Sequence, residues 1–98
     1  MRDLASLNTV DFESAVGTTF EVHYGAAEPL PIRLAEVVVF AERSGHRRPF
    51  ALRFEGPHSP ILAQVTHHVV HPELGELALF LGPVQSDSKG IVYEAVFA

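Results

Sequence analysis

Apolar and polar residues alternate along most of this chain with a period of two, the spacing of half-buried β-strands. In 18–24, Phe20, Val22 and Tyr24 share one face while Thr19, Glu21 and His23 share the other. In 49–55, Phe50, Leu52 and Phe54 oppose Ala51, Arg53 and Glu55. Leu77, Leu79 and Leu81 alternate in 76–82, and Ile91, Tyr93, Ala95 and Phe97 in 91–97. The segment 61–71 carries Ile61, Ala63, Val65, His67, Val69 and His71 on one face. The sixth segment, 30–43, starts with Leu30, Ile32 and Leu34 in alternation and then runs Val37, Val38, Val39, Phe40 without it. Either a β-bulge near Ala35 and Glu36 flips the phase, or both faces are buried beyond that point.

Turn residues separate these segments: Gly56 and Pro57, then Ser59 and Pro60, the run Pro72 to Gly75, and the polar loop Ser86 to Gly90. Only the start of the chain reads as a helix. Asn8 or Thr9 supplies a cap, Asp11 and Glu13 suit the first turn, and Gly17 ends it. Leu7, Val10, Phe12 and Val16 would form its buried stripe. The pattern predicts a single mainly β domain over 1–98. It has a helical segment at 1–17 and, over 18–98, a six-stranded antiparallel meander folded into a small barrel or sandwich. An α+β arrangement is the alternative.

These strands carry more apolar surface than one core needs. If Leu77, Leu79 and Leu81 point inward, Phe80 points outward; Val92 and Val96 oppose the inward face of their strand, and Val37 sits in the unalternating run. One sheet buries both faces only if something covers the second. Either the helix does so, or Val37, Phe80, Val92 and Val96 form an interface for a protein partner or a second copy.

Three of the six histidines, His67, His68 and His71, fall within THHVVHPELG. On a helix, His67 and His71 would be neighbours able to chelate a metal, as in HExxH. Val65, Thr66, Val69 and Val70 instead favour a strand, and Pro72 stops the run. A strand sends His68 to the opposite face and sets His67 and His71 about 13 Å apart at roughly 3.3 Å per residue. No ion with ~2.0–2.1 Å bonds to nitrogen bridges that gap. A site would need a cross-strand partner such as His23, Glu55, Glu73 or Glu76. No metal site and no cofactor is therefore expected, with His67, His68 and His71 the candidates weighed. The expected role of His71 is structural, pinning the turn that ends at Gly75, as Gly56 and Pro57 make the earlier turn.

Composition removes several other chemistries. There is no cysteine, so disulfides, thiolate metal sites and thiol nucleophiles are absent. With seven Lys and Arg against twelve Asp and Glu, the chain is acidic, and nucleic-acid binding is not expected. Arg43, His46, Arg47 and Arg48 form the one basic cluster, a candidate anion patch on a loop. No GxSxG, GxGxxG or GxxxxGK[ST] pattern occurs, and nothing nominates an enzyme. No apolar run reaches the roughly 18–20 residues of a membrane span, and MRDLASLNTV lacks the pattern of a signal peptide. The expected location is cytoplasmic, without membrane contact.

From Phe12 to Phe97 the chain resembles a family of small bacterial β-domains known only as a domain of unknown function. The resemblance rests on GTTF (17–20), FEGP (54–57), LAQ (62–64), HPELG (71–75), LFLGPV (79–84) and YEAVF (93–97), in that order. One departure is Ala98, where the pattern suggests Asn. The resemblance implies a compact β domain with no assigned activity or catalytic residue. It also implies an occurrence near phage-tail-collar-like proteins, which suits an assembly role. Two functions of different class follow: a non-enzymatic interaction or assembly module, and a small-ligand or metal-binding protein using the His67, His68 and His71 region.

Overall fold

A computed structural model of the chain describes residues 1–40 and 49–97. Its six strands are β1 (Thr19–His23), β2 (Leu30–Val39), β3 (Phe50–Gly56), β4 (Val65–His71), β5 (Gly75–Asp87) and β6 (Gly90–Phe97). They close into an antiparallel barrel in the order β1-β2-β3-β6-β5-β4, with β4 returning to β1. The alternation read from the sequence is the alternation of the wall. Phe20, Ile32, Leu34, Leu52, Phe54, Val69, Leu77, Leu79, Leu81 and Tyr93 fill the interior.

The connectivity refines the expected meander at one point. Each half, β1-β2-β3 and β4-β5-β6, is a meander, but residues 57–64 carry the chain across the barrel instead of pairing β3 with β4. The halves then join by two seams, β3 with β6 and β1 with β4. The spatial order 4-1-2-3 is a Greek key.

The bulge in β2 lies where the sequence places it. Leu34 pairs with Phe54, but Glu36 pairs with Arg53, leaving Ala35 as the extra residue. The phase flip gives Val37 the inward side, opposite Leu52 and packed on the core. β5 runs on past Gly82 to Asp87, beyond the predicted end. A second register shift between Pro83 and Gln85 accommodates the proline, which has no N–H to give to a ladder.

A single 3-10 turn, Leu4–Ser6, precedes α1 (Thr9–Glu13). Asn8 caps α1 through its side chain, which accepts from the Asp11 N–H at 3.2 Å, while the Asp11 carboxylate accepts from the Asn8 N–H at 2.9 Å. The buried stripe differs from the expected one. Leu7, Phe12 and Ala15 are buried, whereas Val10 and Val16 are exposed. With only five residues, α1 buries one narrow line and not a broad face. It plugs the end of the barrel: the Phe12 ring lies 5.9 Å from Phe50 and 5.4 Å from Phe97, which stack on each other at 4.6 Å.

Candidate functional site

The three histidines of the HPELG region go to three different environments. His71 is 2% exposed, at the last position of β4. Its Nδ1 accepts from the backbone N–H of Glu73 at 3.1 Å and of Leu74 at 3.2 Å. That leaves the ring proton on Nε2, which donates to Thr18 Oγ1 at 2.8 Å; the Thr18 hydroxyl in turn donates to the Ala15 carbonyl. The ring also packs against Phe20, with centroids 4.4 Å apart. Burial lowers the His71 pKa from its ordinary value, and the nearby Glu73 carboxylate opposes that shift in part. A neutral imidazole therefore ties the turn after β4 to the junction between α1 and β1. Gly75, at φ 83°, closes that turn in a conformation that side chains disfavour.

His67 also faces inward and is 7% exposed; its Nε2 donates to the Ala63 carbonyl at 2.7 Å. His68 faces outward, where its Nε2 meets Glu76 Oε1 at 2.8 Å. On the adjacent strand, directly opposite His68, stands His23, with ring centroids 5.1 Å apart. Among the described residues, no group of three or more His, Cys, Asp or Glu side chains is placed to hold a metal ion. Residues His67 and His68 border an open depression of about 440 Å³, shared with His23, Tyr24, Ile61 and Val65.

The outer wall carries the second feature. Val38 pairs with Ala51 and Ala51 with Val96, while Phe80 lies one residue beyond Leu81, the partner of Ala95. Val38, Ala51, Val96 and Phe80 thus share the outer side in one row across β2, β3, β6 and β5, with Ala51 itself fully buried and Val38 half-buried. Phe80 is 58% and Val96 59% exposed. The neighbouring outward row is charged: Glu36 pairs with Arg53, and Arg53 Nε donates to Glu94 at 3.1 Å. Because α1 plugs the barrel end through Phe12, it leaves Phe80 and Val96 uncovered. Of the four interface candidates, Val92 is half-buried on the outer side, and Val37 is removed by the bulge that turns it inward.

Gly56 ends β3 and Pro57 begins the crossover. A Cβ on Gly56 would sit 3.0 Å from the Tyr93 ring, and one on Gly90 would run into the Gly56 carbonyl. Tyr93 is fully buried on the inward face of β6, and its hydroxyl accepts from the Leu62 N–H at 2.9 Å, anchoring the crossover. Nothing in a period-two pattern marks that bond, and none marks Thr18 as the partner of His71. The anion-patch candidates Arg43, His46, Arg47 and Arg48 lie outside the described residues. No described helix is long and apolar enough to cross a membrane.

Fold and site together define a small closed Greek-key β-barrel whose buried polar groups knit its own turns. Residues 7–97 match the family model of a domain of unknown function, DUF6916, and the chain belongs to that family. Comparison with curated proteins and with solved structures finds no match.

Proposed function

We propose that the protein is a non-enzymatic interaction or assembly module of the cytoplasm, acting through its apolar outer row. The observation that supports this reading is the pairing of Phe80 and Val96 on neighbouring strands, each more than half exposed, with the helix engaged elsewhere. Aromatic and branched side chains in contiguous outward positions lose water most profitably against a protein surface. Arg53, held between Glu36 and Glu94, gives the row a charged border of the kind that rims protein interfaces. The reading takes a second copy or another protein as partner. Repetition of one such contact in a phage-tail-like assembly is the setting that the family resemblance suggests.

Sedimentation velocity over a concentration series tests the self-association arm. The wild-type chain is expected to associate, and Phe80→Glu to sediment as a monomer with unchanged circular dichroism. A wild type that stays monomeric at about 1 mM, where association weaker than about −4 kcal/mol goes unseen, would overturn self-association through this row.

A further inference from the structure

The opposite wall of the barrel, formed by β1, β4 and the start of β5, carries a different chemistry. His23 and His68 are register partners on adjacent antiparallel strands, so both rings project outward side by side, with centroids 5.1 Å apart and planes 32° apart. Glu76 Oε1 accepts a hydrogen bond from His68 Nε2 at 2.8 Å. An ionised carboxylate is acceptor only, so that bond requires a proton on Nε2, and in the neutral ring the lone pair then lies on Nδ1. Among the described residues, the one side-chain interaction of His23 is this ring contact with His68. The next outward row repeats the acid: Glu21 pairs with Val70, and Val70 with Glu76, so two carboxylates flank the two imidazoles.

We propose that His23 and His68 form a two-imidazole site for a divalent first-row transition metal such as zinc or copper, with Glu76 orienting His68 from behind. Two nitrogen donors on one zinc lie no more than about 4.2 Å apart, at ~2.0–2.1 Å per bond. Exposed rings with a 5.1 Å centroid separation reach that spacing by side-chain rotation. Imidazole donors select zinc, copper or nickel over magnesium and calcium, which take oxygen. The carboxylate behind His68 is the arrangement that fixes ring orientation and raises basicity in histidine metal sites. His23 and His68 are both lining residues of the 440 Å³ depression, an open space beside the site for water or a small ligand. His67 and His71 take no part, being turned inward and bonded to Ala63, Thr18 and the turn.

Isothermal titration of the untagged chain with zinc chloride at pH 7.5 tests the site. One zinc per chain is expected. His23→Ala and His68→Ala should each weaken binding more than about tenfold, Glu76→Gln by roughly 10- to 100-fold, and His58→Ala not at all. The His58 ring contacts the Asp87 carbonyl away from this wall. All four side chains are at the surface, and circular dichroism monitors the fold of each variant. Absence of saturable binding to the wild type overturns the proposal, as does undiminished affinity in the doubly substituted His23→Ala, His68→Ala chain. Full affinity in Glu76→Gln overturns the orienting role.

Discussion

His71→Ala removes an acceptor from two backbone N–H groups and a partner from Thr18. The Leu74 N–H is buried, and a buried donor left unsatisfied costs about 1–3 kcal/mol. Loss of the ring from its contact with Phe20 leaves a cavity that adds about 1–2 kcal/mol after partial collapse. A net loss of about 3 kcal/mol is expected, a large share of a typical ~5–15 kcal/mol domain stability. At roughly 4–8 °C per kcal/mol for a chain of this size, the melting temperature falls by more than about 12 °C. His71→Asn places an amide oxygen where Nδ1 stood, able to accept from residues two and three ahead as in an Asx-turn, and should recover part of the loss.

The same variants separate the titration of His71 from its packing. Burial lowers its folded-state pKa, so as pH falls through the ordinary histidine value of about 6.5 the unfolded chain takes up the proton first. The contribution of His71 is thus fully present above that pH. It declines below it, at up to about 1.4 kcal/mol per pH unit, until the folded pKa is passed. Urea unfolding at pH 7.5 and at steps down to 5 measures this slope, which should be reduced in His71→Asn. An Ala variant within about 0.5 kcal/mol of wild type, the range of ordinary surface substitutions, would refute the reasoning. So would a slope that survives in His71→Asn.

Phe12→Ala should cost about 3–5 kcal/mol in chemical denaturation, because its ring closes the barrel end against Phe50 and Phe97. Gly90→Ala should destabilise by more than about 2 kcal/mol, since the added methyl enters the space of the Gly56 carbonyl, and overpacking of this kind costs ~1–3 kcal/mol or more. Thermal melting of that variant checks it.

Strand phase was legible wherever one face is buried, because a single-residue slip would turn Phe20, Leu52 or Leu79 into water. The bulge at Ala35 was legible for the same reason, as a break in an otherwise strict alternation. The helix stripe was not, since five residues span too few turns for Val10 and Val16 to be told from Leu7 and Phe12. β5 outran its predicted end because Gly82 and Pro83 read as a turn. Gly82 instead makes room for Gln64, whose Cβ would lie 2.5 Å from an added methyl, and Pro83 sits at a bulge. The separation of His67, His68 and His71 followed from strand geometry alone. Which acid stands behind His68 did not, because β4–β5 register depends on the turn that His71 organises.

The two seams of the barrel carry a kinetic consequence. Val22 meets Val69 across one and Phe50 meets Phe97 across the other, each pair 47 positions apart along the chain. The hairpins within each half form from local contacts, but neither half has a closed core until both distant seams zip together, and non-local pairing is slow. Until then four strand edges stand open to other chains. How long the barrel takes to shut, more than how firmly it stays shut, sets the exposure of this chain to aggregation during its own synthesis.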